Sequence, residues 1–377
     1  MVNRHLVNFS AGPTALPRPV LEKVRDELLD FRGTGLSVME ISHRAPQIED
    51  LLAETVHRTR RLLGLGDEHE VLLLQGGGSL QFAMVPLNLS GPGDQVDYVD
   101  SGYWAAKAIA EPKTLARDVA VVASSADRGH RCVPALDEIG ARPDARYLHV
   151  VTNNTVEGTQ FRRAPRVSVP VVADMSSDLM SESFDPSAYD LVYAHAQKNI
   201  GIAGVTLVVL RRSLLASVPD GLPAILDYRT HAAHGSNYHT PPTFAIYVTC
   251  LVLRWLEEEI GGLPSMAELT RLKAATLYDF LDATPFYRCP VEPDSRSRMN
   301  VVFAPAEAGL VEPLLDAAAK AGVVGLAGHR SVGGCRASLF NGVSVEDVRR
   351  LVDFLHRFAA DHSPGVQTPA REECSAR

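Results

Sequence analysis

The stretch VLLLQGGGSLQF at residues 71–82 passes from a short apolar run through a triple-glycine turn into a sequence with helical character. An apolar run bounded by such breakers predicts a buried strand. Six more runs of this kind alternate with helical stretches: QVDYVD (95–100), VAVVAS (119–124), YLHVVT (147–152), VPVVAD (169–174), YDLVYA (189–194) and TLVVLR (206–211). The alternation predicts an α/β fold with a mostly parallel, seven-stranded sheet. Ligands of such sheets bind beyond the carboxyl ends of the strands, so the polar residues there are the candidates.

Helices are predicted on both sides of this region. Apolar residues recur at helical spacing over 17–31 and 47–65, and the polar loop between these two helices carries His43 and Arg44. A long helix over about 243–260 ends at a pair of glycines, and a further helix follows through residue 282. We place a domain boundary between these two helices.

The C-terminal part predicts a smaller α+β domain. It contains strands at 299–304 and 335–340 and helices at 307–321 and 345–361, the last of which is opened by a Ser344-x-x-Asp347 capping box. The polar, proline-containing end is typical of a disordered tail. The predicted division is therefore a large domain (17–262), a small domain (1–16 and 263–362) and a tail (363–377).

Composition excludes several classes of function. A formal net charge of −8 over 377 residues argues against a nucleic-acid binder. The five cysteines are scattered without a CxxC pair, which predicts neither a disulfide framework nor a metal site and fits a reducing cytoplasm. No apolar run reaches the roughly 18 residues of a membrane helix, and the N-terminal residues lack the apolar core of an export signal.

Lys198 is the strongest candidate for a nucleophile. It follows YDLVYA and precedes the glycine-bearing GIAG, which places an amine at the end of a buried strand. A desolvated lysine loses its preference for the charged form, and the neutral amine forms Schiff bases. A loop cation is the alternative. The other lysines lie on or at the ends of predicted amphipathic helices, where solvated charges are expected: Lys23, Lys107, Lys113, Lys273 and Lys320.

Asp174 supplies the second group that pyridoxal chemistry requires. A carboxylate at the pyridine nitrogen keeps that nitrogen protonated, which makes the ring an electron sink. Asp174 ends the run VPVVAD, one strand before Lys198. The alternative is that Asp174 caps a helix through MSSD. The two residues together favour a pyridoxal phosphate enzyme.

The glycine turn after VLLLQ predicts a phosphate site, because backbone N–H groups and the positive end of a helix dipole meet there. A dinucleotide site is the rival, but Gln81 occupies the third glycine position of that fingerprint, where its bulk opposes close helix packing. We therefore predict a site for a single phosphate. Trp104 offers a flat face for a cofactor ring, or is simply core. Thr155 offers a hydrogen bond to the phenolic oxygen of the cofactor, or caps a turn.

A group of potential cations lies near the C terminus. The segment GHRSVGGCRAS contains His329, Arg330 and Arg336 among glycines. Because the planar fork of arginine matches carboxylates and phosphates, this segment predicts an anion receptor, which His43 and Arg44 are able to join. Surface solubility is the alternative, and the surrounding glycines and apolar residues oppose it.

These residues resemble the phosphoserine aminotransferase family over nearly the whole chain, from NFSAGPTALP to LVDFLHRF. The matching motifs are SVMEISHR, LLLQGGGSLQF, VTNNTVEGTQF, VVADMSS, AHAQKNIG, TPPTFAIY and GHRSVGGCRAS. The resemblance implies a fold-type I, class-V pyridoxal-phosphate-dependent aminotransferase. It also implies a homodimer with shared active sites, and amino-group exchange between phosphoserine and glutamate/2-oxoglutarate in serine biosynthesis, with phosphorylated hydroxythreonine of pyridoxine biosynthesis as a second substrate.

The same resemblance implies roles for individual residues. Lys198 and Asp174 are the catalytic pair. The remaining cofactor-binding residues are Gly78, Ser79, Trp104, Thr155, Gln197, His239 and Thr240, of which Thr240 reaches in from the partner subunit. The substrate-binding residues are Arg336 for the carboxylate and His43, Arg44, His329 and Arg330 for the phosphate.

Several positions depart from the family pattern. His239 stands at a usual asparagine, Ile202 at a usual small residue or proline, and Ala327 at a usual lysine, and His195 and the Ala45-Pro46 step are also unusual. These departures motivate a second hypothesis, a same-fold aminotransferase for another acidic substrate such as a phosphonate. A non-catalytic cofactor-binding or scaffold protein is a third, which the Lys198 and Asp174 pair opposes.

Overall fold

The computed structural model describes residues 6–363. Its helices are α1 (Arg18–Glu27), α2 (Pro46–Leu63), α3 (Gly77–Leu89), α4 (Tyr103–Thr114), α5 (Arg212–Leu215), α6 (Tyr228–Ala233), α7 (Thr243–Glu258), α8 (Leu263–Asp282), α9 (Val311–Lys320) and α10 (Val345–His362). Its strands are β1 (Val7–Asn8), β2 (His69–Leu74), β3 (Gln95–Asp100), β4 (Asp118–Ser124), β5 (Leu148–Val151), β6 (Asn153–Asn154), β7 (Thr159–Gln160), β8 (Val171–Asp174), β9 (Leu191–His195), β10 (Thr206–Arg211), β11 (Tyr287–Arg288), β12 (Asn300–Pro305), β13 (Val323–Val324) and β14 (Cys335–Ser338).

A seven-stranded sheet in the order β2-β10-β9-β8-β5-β3-β4 forms the centre of the molecule. Pairing is parallel except that β10 runs antiparallel to both of its neighbours. The predicted mostly parallel sheet is therefore confirmed, with each of the seven apolar runs contributing one strand. Asp174 is the last residue of β8, and Lys198 follows β9 by three positions, so both lie at the same end of adjacent parallel strands.

A second hydrophobic cluster surrounds the three-stranded sheet β11-β12-β14. Helix α10 covers it and begins with the predicted capping box, in which Ser344 and Asp347 exchange side-chain to backbone hydrogen bonds. Helix α8 takes part in both clusters, because Leu263 and Met266 pack into the core of the large sheet while Leu277 packs into the second one. The predicted domain boundary at 262/263 remains a proposal, and most of the predicted tail lies outside the described residues.

One sequence prediction is wrong. Lys273 was expected to be a solvated charge on a helix, but its side chain is 1% exposed. Its Nζ atom donates to the carbonyl oxygens of Leu339, Phe340 and Val343 at 2.9–3.1 Å. These three oxygens match the three donors of an ammonium group, and they explain why a lysine occupies an apolar helix face that helical spacing alone assigned to solvent.

The predicted helix ends differ from the observed ones by a few residues. Helix α1 ends at Glu27 instead of 31, and α9 begins at Val311 after a 3-10 turn, instead of at 307. Among residues 6–363, no helix combines the length and apolar character needed to cross a membrane. The same residues contain no group of three or more His, Cys, Asp or Glu side chains that could hold a metal ion.

Candidate active site

Lys198 lies in a turn that is fixed from both sides. Ile200 N–H donates to Ala196 O, and Thr14 Oγ1 donates to the carbonyl of Lys198 at 2.6 Å. The lysine side chain is buried, which opposes the interpretation of Lys198 as a solvated loop cation. Burial lowers the pKa of Lys198 to about 8, and the positive charge of Arg336 acts in the same direction against the attraction of Asp174. A neutral, nucleophilic amine is therefore within reach near neutral pH.

Asp174 faces the same interior. Its carboxylate is buried, and Oδ1 accepts the backbone N–H of Ser176 at 2.9 Å. No helix begins here, because residues 176–180 form turns, so the helix-cap interpretation is wrong. Burial raises the pKa of Asp174, while the neighbouring charge of Lys198 and the hydrogen bond from Ser176 lower it. A buried carboxylate in this setting is stabilised by a cationic partner.

Trp104, Thr155 and Arg336 form one connected group. Trp104 Nε1 donates to Thr155 Oγ1 at 3.0 Å, and an amino group of Arg336 donates to the carbonyl of Thr155 at 2.7 Å. Lys198 Nζ lies 5.8 Å from the centroid of the Trp104 ring. Glu157 fixes the start of α4 by accepting the backbone N–H of Tyr103 at 2.8 Å. The indole is thereby held over the space in front of Lys198.

A small pocket brings five of the predicted residues together: Gly78, Ser79, Trp104, Asp174 and Lys198. The rest of its lining was not assigned a role from the sequence: Phe82, Val151, Asn153, Ser176, Ser177 and His195. Two of these residues could have been identified as candidates from the sequence. Ser176 and Ser177 directly follow Asp174 at the carboxyl end of a strand, the position from which candidates were drawn.

The glycine turn at the start of α3 forms a cradle for an anion. Gly76 and Gly77 have φ angles of +89° and +67°, which favour glycine. A Cβ atom at Gly78 would lie 3.4 Å from Ser176 Oγ, so the absent side chain leaves room at the helix N-terminus. The backbone N–H of Gly78 and the side-chain amide of Gln197 both point to Nδ1 of His195, at 3.5 and 3.4 Å. These are donors that an anion is able to take over.

His43, His239 and Thr240 form a second group. Thr240 Oγ1 lies 3.3 Å from His43 Nδ1, and His239 Nε2 lies 2.8 Å from Gln75 Nε2. Asn237 ties the group together by donating to the carbonyl of His43 at 2.9 Å. Within residues 6–363, no hydrogen bond joins this group to Lys198 or Asp174. One chain thus carries the predicted residues in two separate groups.

His329 lies at the edge of the first group. Its ring centroid is 4.9 Å from that of Tyr103, and its Nδ1 lies 2.6 Å from Ser331 Oγ. Burial lowers the pKa of His329, and the charges of Arg336 and Arg330 add to the effect. Arg330 and Arg44 are exposed and form no ion pair in the described part of the chain. Arg336 and Arg330 thus add positive charge around His329, which favours an anionic ligand there.

Comparison with known proteins gives a consistent family. A model of the class-V aminotransferases matches residues 6–351. The phosphoserine aminotransferase of Syntrophobacter fumaroxidans is 50% identical over 356 residues, which cover 94% of this chain and 98% of that protein. The one from Geobacillus kaustophilus is 48% identical and covers 93% and 97%.

Solved structures agree with this relationship. The structure of phosphoserine aminotransferase from Bacillus circulans subsp. alkalophilus superposes with a TM-score of 0.93 at 44% identity, over 95% of this chain and 99% of that one. A structure of pyridoxal-phosphate-bound phosphoserine aminotransferase from Trichomonas vaginalis gives a TM-score of 0.89 at 34% identity, over 93% and 100%.

Proposed function

Because this chain belongs to the class-V aminotransferase family, we propose that it transfers the amino group between L-glutamate/2-oxoglutarate and 3-phosphohydroxypyruvate/O-phospho-L-serine. The relatives named phosphoserine aminotransferase, which match over nearly their whole length, support this reaction of serine biosynthesis. The observation that carries the chemistry is the buried amine of Lys198 beside the buried carboxylate of Asp174, in front of the Trp104 indole. 4-Phosphohydroxy-L-threonine, which has the same charged groups, is proposed as a second substrate.

The residues of the pocket fit pyridoxal phosphate. The cradle at Gly78 offers N–H donors and space for a phosphate, and Asp174 and Lys198 contribute a carboxylate and an amine to the same pocket. When bound, the cofactor supplies an aldehyde for covalent attachment and a protonated ring that withdraws electrons from the reacting carbon. The cationic ring nitrogen would stabilise ionised Asp174, whose burial otherwise favours the neutral form.

Lys198 has two tasks in this proposal. Its neutral Nζ would hold the cofactor covalently, and the same atom would accept and return the proton at the α-carbon of the substrate. The lowered pKa of about 8 suits a group that must accept and donate a proton near neutral pH. Trp104 covers one side of the reacting groups, and its hydrogen bond to Thr155 fixes the indole plane.

Charge complementarity supports the substrate assignment. Arg336 is held by its hydrogen bond to Thr155 O and is proposed to bind the α-carboxylate that phosphoserine and glutamate share. His329 and Arg330 with His43 and Arg44 are proposed to bind the phosphate. The phosphate carries about −1.5 to −2 charges, so several cations are needed to balance it.

A homodimer is part of the proposal. Within residues 6–363, the group of His43, His239 and Thr240 forms no hydrogen bond with Lys198. Contribution of this group to the pocket of a second subunit would complete both the cofactor site and the phosphate receptor. Analytical ultracentrifugation of the active enzyme should show a dimer. A fully active monomer would contradict a shared site.

We also place the enzyme in the cytoplasm. The cysteines within residues 6–363 are free thiols, which is consistent with a reducing compartment.

A substrate panel tests the proposed function. Purified enzyme with pyridoxal phosphate and 2-oxoglutarate should convert phosphoserine far faster than serine, aspartate or a phosphonate analogue of phosphoserine. Preference for phosphoserine over serine tests the phosphate receptor, because the two amino acids differ only in that group. Faster turnover of the phosphonate would favour the alternative hypothesis that the departures at His239 and Ala327 motivate.

A further inference from the structure

His195 is the residue of the inner pocket that the proposed reaction leaves without a task. It ends β9 three positions before Lys198 and lines the pocket beside Gly78, Asp174 and Lys198. Its Nε2 atom is buried and has no hydrogen-bond partner among residues 6–363. The hydrogen bonds of this ring within residues 6–363 are therefore made at Nδ1.

The position of Nδ1 identifies the ligand. The backbone N–H of Gly78 donates to this atom at 3.5 Å, and the side-chain amide nitrogen of Gln197 lies 3.4 Å from it. Both donors belong to the cradle proposed for the cofactor phosphate. Without the cofactor, His195 Nδ1 is thus the acceptor nearest to these donors. A phosphate oxygen that accepts from the same donors must lie next to the imidazole ring.

The backbone leaves room for the ring at this place. Cβ atoms added at Gly77 and Gly78 would lie 3.6 and 3.8 Å from His195 Nδ1, so side chains there would come into contact with the imidazole. The imidazole therefore lies within van der Waals range of the turn at the start of α3.

Within the described part of the chain, the cradle lacks a positively charged donor for the phosphate. Gly78, Ser79 and Gln197 offer only neutral donors, and Lys198 is engaged with the aldehyde end of the cofactor. A phosphate of about −1.5 to −2 charges is better held by a cationic or strongly polarised donor. Within one chain, His195 is the described residue of the cradle that is able to gain a proton at the phosphate; His239 of the partner subunit, proposed above for the cofactor site, is a second histidine there.

We propose that His195 is a direct ligand of the cofactor phosphate and donates a hydrogen bond from Nδ1 once the phosphate accepts the donors of Gly78 and Gln197. This inference rests on the proposed function, because it assumes a phosphorylated cofactor in the cradle.

In the cofactor-free protein, His195 Nδ1 is a hydrogen-bond acceptor, and in the proposal it becomes a donor when the phosphate binds. Burial lowers the pKa of His195 to about 3, and the charge of Lys198 acts in the same direction. The ring is therefore neutral without ligand and carries its proton on Nε2, since Nδ1 accepts from Gly78. An adjacent anion favours a proton on Nδ1, either by exchange of the tautomer or by protonation of the ring.

Binding measurements with two cofactor forms test the proposal. Dissociation constants of pyridoxal phosphate and of pyridoxal, which lacks the phosphate, are measured by quenching of tryptophan fluorescence for the wild type, His195→Gly and His195→Gln. Loss of one hydrogen bond to a charged group should weaken pyridoxal phosphate by about 10- to 100-fold. Pyridoxal should bind with an unchanged constant. His57→Gln, at an exposed histidine of α2, is the matched control and should bind both forms as the wild type does.

The outcomes separate this inference from the proposed function. Unchanged binding of pyridoxal phosphate by both His195 variants, or equal weakening of both cofactor forms, would overturn the role of His195 as a phosphate ligand. Thermal unfolding of the cofactor-free variants checks that they are folded. If the wild type itself bound no pyridoxal phosphate, the proposed function would fail; if the wild type bound it and His195→Gly bound it equally well, only the role of His195 would fail.

Discussion

Replacement of Arg336 and of Arg330 should distinguish binding of the α-carboxylate from binding of the phosphate. Arg336 is partly buried and keeps one arm on the carbonyl of Thr155 at 2.7 Å, which leaves the rest of its fork for a ligand. Arg330 is exposed and lies in the loop before β14. If Arg336 binds the α-carboxylate, both phosphoserine and glutamate depend on it. If Arg330 binds the phosphate, only phosphoserine depends on it.

The expected magnitudes follow from these environments. Removal of one partner of a desolvated, hydrogen-bonded charge pair costs about 2–5 kcal/mol, a factor of roughly thirty to several thousand. Arg336→Lys keeps the positive charge but removes the planar guanidinium group, so the loss of rate for both substrates should lie at the lower end of that range. Arg330→Ala should slow phosphoserine by about 10-fold or more. Glutamate should change by less than about 3-fold, since it carries a single carboxylate at that end.

Single-turnover kinetics of each half-reaction provide the assay. The cofactor absorbance is followed after mixing the holoenzyme with phosphoserine alone or with glutamate alone, for the wild type, Arg330→Ala and Arg336→Lys. Arg357→Ala, at an exposed residue of α10, controls for loss of one positive charge. Equal losses for the two amino acids in Arg330→Ala would refute a phosphate receptor at this loop. A loss for one amino acid alone in Arg336→Lys would refute a shared carboxylate anchor.

Three further predictions concern single side chains. Asp174→Asn should still bind pyridoxal phosphate but lose at least about 100-fold in turnover, because the ring nitrogen would no longer be held protonated; near-normal turnover would count against the role of Asp174. Lys273→Met should lower the free energy of unfolding by about 3 kcal/mol at pH 9, measured by urea denaturation, since the buried carbonyl groups around Nζ lose the N–H donors of the neutral amine. Burial lowers the pKa of Lys273 to about 7, so between pH 8 and 10 the unfolded chain binds more protons than the folded one. The difference in the free energy of unfolding between the wild type and Lys273→Met should therefore grow by about 1 kcal/mol per pH unit over this range. A difference that shrinks with pH would show that the buried lysine stays charged.

The sequence predicted the sheet well because each strand is a short apolar run, and the polar residue after the run marks the end at which ligands bind. Asp174 and Lys198 were found in this way, and both lie buried at that end. The hydrogen bond between Trp104 and Thr155 was not predictable, because it joins the start of a helix to a loop some fifty positions away. Spacing along the chain carries no information on such a contact.

Lys273 and His195 show two other limits. Helical spacing assigned Lys273 to solvent, since a lysine on an amphipathic helix is usually exposed. The three carbonyls that bind it come from a segment that folds back from the end of β14, which no local pattern reveals. His195 was noticed as unusual in the sequence, but its task depends on the convergence of Gly78 and Gln197 on one ring nitrogen.

Transfer of a labelled amino group tests most directly whether the enzyme is a phosphoserine aminotransferase that acts through Lys198. Phosphoserine with a heavy-nitrogen label is incubated with 2-oxoglutarate, pyridoxal phosphate and either the wild type or Lys198→Ala, and the glutamate formed is analysed by mass spectrometry. Labelled glutamate is expected with the wild type and none above background with Lys198→Ala. Unlabelled glutamate, absence of glutamate with the wild type, or equal labelling by the two proteins would contradict a phosphoserine aminotransferase that acts through Lys198.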